Sequence, residues 1–153
     1  MSPDATEILF VEDNPADVEL TLRALRQDHV ANRIHVAHDG EEALDFLLCR
    51  GAYSGRRGQA LPRLVLLDLK LPKVDGLEVL RQIRADPHTR ALPVVILTSS
   101  KEERDLVSGY QLGANSYIQK PVDFTQFQET VKQLGLYWLV INEPPPVVVV
   151  APA

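Results

Sequence analysis

The chain has 153 residues, 45% of them hydrophobic and 24% charged, with a formal net charge of −5. That size suits one domain with a real buried core and no second full domain, and the acidic balance argues against binding to nucleic acid or to an anionic membrane surface. Cys49 is the lone cysteine, no apolar run approaches the roughly 20 residues that span a bilayer, and the start MSPDATEILF carries no signal-length apolar segment, so a reducing, cytoplasmic setting is expected.

Residues 8–11 (ILFV) read as a first strand, followed by a helix with Val18, Leu22 and Leu25 on one face and Glu19, Arg23 and Arg26 on the other. Residues 33–37 make a weaker second strand. Asp39 then stands as N-cap of a helix whose apolar stripe pairs Ala43 with Leu47 and Leu44 with Leu48. Residues 50–62 (RGAYSGRRGQALP) form a long, basic, Gly-containing loop. Residues 64–67 (LVLL) are a third strand, and Asp75 caps a helix carrying Leu77, Leu80 and Ile83. Residues 93–97 make a fourth strand, followed by a short helical stripe of Leu106 and Tyr110. Residues 116–119 make a short fifth strand. Asp123 precedes a last helix with Phe124, Phe127, Val131, Leu134 and Trp138 stepping by three or four. The ending EPPPVVVVAPA cannot continue that helix. The expected organisation is one domain over residues 5–141 and a Pro-rich tail over 142–153.

Strands alternating with helices imply an α/β fold with helices on both faces of a parallel sheet. Right-handed crossovers leave few topologies for five such units, and the flavodoxin-like, doubly wound (βα)5 order 2-1-3-4-5 is the expectation. Ligands of such sheets bind beyond the carboxyl ends of the strands. There the first strand offers Glu12 and Asp13, the third Asp68, the fourth Thr98 and the fifth Lys120. Taken singly, each has a plain reading: a solvated acid, a helix cap, a surface lysine. Their coincidence at one edge favours a site. Three carboxylates together repel, and either protons or a bound cation must compensate. Oxygen donors suit a hard divalent ion, whereas zinc would want Cys or His. His29, His35, His38 and His88 show no metal-ligand spacing and are read as surface residues.

The stretches ILFVEDN, LVLLDLKLPKVDG, VVILTSS and GANSYIQKPVD, with the spacing from Asp68 to Thr98, Tyr117 and Lys120, resemble the receiver domains of two-component response regulators. The likeness covers about residues 5–138. It implies that Asp68 is the phosphoacceptor and that Mg2+ or Mn2+ is bound by Asp13, Asp68, the Lys70 backbone carbonyl and, through water, Glu12. It also implies that Lys120 and Thr98 bind phosphoryl oxygens, that Tyr117 with Thr98 forms the switch, and that the Lys120–Pro121 peptide is cis. The phosphoryl donor would be a sensor histidine kinase. The physical chemistry agrees, because phosphoryl transfer asks a protein mainly for positioning and charge neutralisation.

The long basic loop, DLKLPKVDG and the Tyr137-Trp138 ending resemble, more narrowly, regulators paired with bacterial phytochrome kinases. Leu71 stands where many receivers have Met, and Lys70 places a charge near the acceptor. Nothing like a DNA-binding helix-turn-helix follows the domain, so a stand-alone regulator that is not an enzyme is expected. An aspartyl-phosphate phosphatase of the haloacid dehalogenase type would want a second Asp where Lys70 stands, and an FMN module would want a Gly- or Ser/Thr-rich first loop instead of Glu12-Asp13-Asn14-Pro15. Tyr137, Trp138, Leu139 and Ile141 exceed what the last helix can bury on its own sheet. They either fold back over the domain or meet a partner, and with Phe127 a homodimer contact is the expectation.

Overall fold

Short runs of branched and apolar residues become strands here because both of their faces find cover. The computed structural model describes residues 6, 8–27, 33–98, 111, 113, 114 and 116–119. Strands β1 (Ile8–Val11), β2 (Ile34–Ala37), β3 (Leu64–Leu67), β4 (Val94–Thr98) and β5 (Ser116–Gln119) form one parallel sheet in the order 2-1-3-4-5. The expected topology is therefore observed. β1 and β3 have every residue buried, as interior strands of a covered sheet should. β2, at one edge, is buried only at Ala37, which explains its weaker apolar signal.

Two strands have limits that shift by a residue. β2 begins at Ile34, not Arg33, and β4 runs to Thr98, beginning after Pro93. Proline has no N–H to give the ladder, although the Pro93 carbonyl still accepts from Val65 N at 2.9 Å.

Among the described residues three α-helices lie between the strands: α1 (Pro15–Gln27), α2 (Gly40–Leu48) and α3 (Gly76–Ala85); the expected stripe of Leu106 and Tyr110 falls outside the described residues. Asn14 Oδ1 accepts from Ala16 N at 2.9 Å and caps α1, and Pro15 follows where no helical N–H is needed. Asp39 and Asp75 cap α2 and α3 as expected, accepting from Glu42 N at 2.7 Å and Glu78 N at 3.0 Å. Leu9, Val11, Val65, Leu67, Val94 and Ile96 turn one face of the sheet to Leu44, Phe46 and Leu47 of α2 and to Val79, Leu80 and Ile83 of α3. Truncating one of these leucines or isoleucines to Ala would cost about 2–5 kcal/mol. Ile8, Phe10, Leu64 and Leu66 alternate to the opposite face and are also fully buried.

Two expectations need correction. Residues 50–62 are not a plain loop, because Gly51–Arg56 form a 3₁₀ helix that lies on α2. Arg56 stands over the Phe46 ring at 3.6 Å from its centroid and donates to the Phe46 carbonyl. Tyr53 donates to Glu42 Oε2 at 2.8 Å. The segment is thus held by a cation–π contact and a charge-assisted hydrogen bond that its local sequence pattern does not announce. Nor is His35 a surface residue: its side chain is 29% exposed and stacks on Phe46 at 4.2 Å, with Nε2 3.1 Å from the Tyr53 hydroxyl. His38 and His88 are exposed as expected, and His29 lies outside the described residues.

Candidate metal centre

β1 and β3 run side by side with Val11 opposite Leu67, so the next residues, Glu12 and Asp68, emerge at the same height. Backbone pairing extends over both: Asp68 N donates to the Val11 carbonyl at 3.1 Å, and Glu12 N to the Ala37 carbonyl at 3.0 Å. Glu12, Asp13 and Asp68 each bring a carboxylate oxygen to one place, all within 4.8 Å of one another. Glu12 is 1% exposed and Asp68 6%, whereas Asp13 faces solvent. Two buried unit charges at such a distance repel by about 3 kcal/mol at an effective dielectric near 20. The donor set is all oxygen and open on the Asp13 side. It fits a hard divalent cation such as Mg2+ or Mn2+, and it lacks the nitrogen or sulfur that zinc prefers.

The local chain holds these groups in place. Asn14 N donates to Glu12 Oε2 at 3.3 Å while the Asn14 side chain caps α1, so the helix start and the acidic loop are fixed together. Lys70 N approaches Asp68 Oδ1 at 3.4 Å, a long hydrogen bond, and the Lys70 side chain is exposed. Gly76 N donates to the Leu69 carbonyl at 3.0 Å, bringing the first residue of α3 against the backbone that carries Asp68. A cleft of about 490 Å3 opens beside the cluster, lined by Asp13, Lys70, Leu71, Pro72, Asp75 and Leu77 among others.

Of the expected site residues, Glu12, Asp13 and Asp68 are therefore brought together, with Lys70 on the adjoining loop. The backbone of Thr98 ends β4 opposite Gln119, and Tyr117 lies opposite Ile96, itself opposite Leu67. Lys120, Phe127, Tyr137, Trp138, Leu139 and Ile141 lie outside the described residues, as do the 120–121 peptide, the last helix and the 142–153 tail. Asn14 and Gly76 support the centre and were not anticipated. The Asn-Pro pair ahead of an apolar periodicity was a readable cap signal for the first. For the second, nothing local told a supporting glycine from an ordinary one.

The chain belongs to the response regulator receiver domain family, whose profile matches residues 8–132. Receivers are phosphorylated by histidine kinases and bind a divalent metal. Among its relatives, the probable methanogenesis regulatory protein FilR2 of Methanothrix harundinacea is 46% identical over 90% of this chain and 86% of its own length. Response regulator Rcp1 of Synechocystis is 36% identical over 86% of this chain and 88% of its own. The Mn2+-bound form of Rcp1 superposes with a TM-score of 0.84 at 35% identity, covering 92% of this chain and 99% of that one. The phosphorylated cyanobacterial phytochrome response regulator RcpA gives 0.85 at 38% identity, over the same shares. The bacteriophytochrome response regulator AtBRR is 54% identical, with a TM-score of 0.71 over 92% of this chain and all of its own. Among the described residues no helix is long and apolar enough to cross a membrane.

Proposed function

We propose that Asp68 is the phosphoacceptor of a response regulator that works as a stand-alone module, residues 5–141 forming the receiver and 142–153 a tail. The observation that carries this is the meeting of Glu12, Asp13 and Asp68 within 4.8 Å at the carboxyl edge of the sheet, beside an open cleft. Asp68 is nearly buried and follows directly on β3, an interior strand, which restricts the directions from which a phosphoryl group can reach its carboxylate. In the transfer the P–N bond of the kinase phosphohistidine breaks, a P–O bond to Asp68 forms, and the released imidazole takes up a proton. Asp13, Asp68, the Lys70 carbonyl and, through water, Glu12 would hold Mg2+ or Mn2+, which when bound offsets the repulsion between the carboxylates and the phosphoryl oxygens. Lys120 pairs with those oxygens and Thr98 donates to one of them. The product carries about one more negative charge than the carboxylate and three new acceptor oxygens, and Thr98 with Tyr117 relays that change to the surface. The domain accepts and later loses a phosphoryl group and catalyses nothing on an outside substrate.

Incubation with acetyl phosphate and Mg2+ should add one phosphoryl mass to the intact protein, and Asp68→Asn should abolish it. Full labelling of that variant would remove Asp68 from the role.

The likeness to bacteriophytochrome regulators supports a phytochrome-type histidine kinase as donor. Phosphotransfer from such a kinase should outpace transfer from an unrelated one, and equal rates would discard the pairing. A homodimer contact through Phe127, Tyr137, Trp138, Leu139 and Ile141 completes the proposal. It predicts sedimentation as a dimer at tens of micromolar, lost when the chain is cut after Leu136.

A further inference from the structure

α3 links the metal centre to the far end of the sheet. Its first residue, Gly76, touches the Asp68 backbone, and ten residues of helix span about 15 Å. Near its other end, the Arg84 guanidinium donates to three backbone carbonyls in two separate segments. Nε and Nη2 reach the Gly113 carbonyl at 3.0 and 2.8 Å, while Nη1 reaches those of Arg90 at 2.9 Å and Leu92 at 2.7 Å. Leu92 lies just ahead of β4, and Gly113 just ahead of β5. Thr89, buried, adds a bond from its hydroxyl to the Ile83 carbonyl at 2.7 Å, so the turn before β4 is tied to the same end of α3.

We infer that Arg84 is a positioning residue for the phosphoryl-binding residues, setting the registers of β4 and β5 from their starting ends. β5 is a four-residue strand that, among the described residues, lies at the sheet edge and pairs with β4 alone. A strand so short is weakly specified by its own ladder. A slip of one residue would reverse the faces of such a strand and shift its end about 3.3 Å along the sheet. The planar fork of an arginine holds two segments at once, which a lysine cannot do with the same geometry. Gly113 serves the same clamp. Its φ of +94° is open to glycine, and a Cβ there would stand 3.0 Å from Arg84 Nε.

This inference rests on the reading that Lys120, next in sequence after β5, binds the phosphoryl group, and it divides the site in two. Glu12, Asp13 and Asp68 follow β1 and β3, which Arg84 does not touch through these bonds, whereas Thr98 ends β4 and Lys120 comes next in sequence after β5. Arg84→Ala, Arg84→Lys and Gly113→Ala should therefore slow phosphorylation by acetyl phosphate on the order of 10- to 100-fold, the usual consequence of an ångström-scale misplacement. Mn2+ affinity, measured by titration calorimetry on the full chain, should stay near wild type, and hydrogen exchange should rise at residues 116–119 but not at 8–11. Loss of metal affinity in step with the rate would mean general unfolding and would overturn the inference, as would an unchanged rate. Lys120→Ala is the separate control. If it phosphorylates normally, the functional reading of Lys120 falls and the inference with it; if it is impaired while the Arg84 and Gly113 variants are not, only the inference falls.

Discussion

Gly76 lies directly on the backbone of Asp68: a Cβ built there would stand 2.3 Å from the Asp68 carbonyl oxygen and 2.6 Å from Leu69 Cα. No side chain fits without moving the strand end that carries the acceptor. Gly76→Ala should cost about 1–3 kcal/mol, as overpacking does. It should also slow phosphorylation more than a core truncation of equal stability cost, such as Val79→Ala. Urea midpoints paired with labelling rates check this, and equal rates in two variants of matched stability would leave Gly76 a purely structural residue.

Removing the metal should stop phosphorylation, because Asp68 would then meet an anionic donor with two carboxylates beside it. The same repulsion gives Asp13→Asn a stability effect that changes sign. In chelator the variant should melt above wild type, since one of three crowded charges is gone. In millimolar Mg2+ it should melt below, since a ligand is gone. Thermal melts of both proteins in both buffers test the crossing.

The His35 cluster makes stability depend on pH. Burial holds the His35 imidazole below its ordinary 6.5; Arg56 adds to that lowering and Glu42 opposes it. In the fold His35 therefore prefers to be neutral. Its stabilising contribution is complete above pH 6.5 and is lost as pH falls through the lower folded value, where the unfolded chain binds the extra proton. Glu42 adds a second step at lower pH. Burial works to raise its pKa, but hydrogen bonds from the His38 backbone, Tyr53 and the His38 side chain outweigh this and hold it below 4.5. His35→Phe keeps an aromatic ring to pack on Phe46 and removes the proton, so its denaturation midpoint should be flatter than wild type between pH 7 and pH 5. An identical slope would place the pH dependence elsewhere.

The same cluster anchors the 3₁₀ helix. Tyr53, whose own pKa is pushed up to about 12 by burial and by its bond to Glu42, remains a donor through the physiological range. Arg56→Ala removes the cation over Phe46 and should cost about 0.5–2 kcal/mol. The loss should be local: hydrogen exchange should quicken over residues 51–56 and leave β1 and β3 unchanged. Uniform quickening would show that the segment is not a separable unit.

Much of this protein was legible along the chain. ILFV read as a strand and LVLL as a strand covered on both faces, and Glu12, Asp13 and Asp68 stood directly after them. Once parallel strands are level, residues following each strand must meet at one edge, so the acidic cluster followed from order and spacing. Asp39 and Asp75 were readable as caps because a cap acts within one helical turn.

Tertiary structure decided what depends on contacts between segments far apart in sequence. Residues 50–62 carry no periodicity that points to Phe46, yet Arg56 and Tyr53 find their partners on α2. His35 lacked any ligand spacing and looked like a surface group. The approach of α2 and the 3₁₀ helix to an edge strand turned it into a stacked, half-buried one. Gly76 and Arg84 show the same limit: the need for no side chain at one and for a three-carbonyl fork at the other arises only when α3 lies along the sheet. Local pattern records which face of an element is apolar, whereas the identity of the partner across that face is set by packing, and packing belongs to the whole chain.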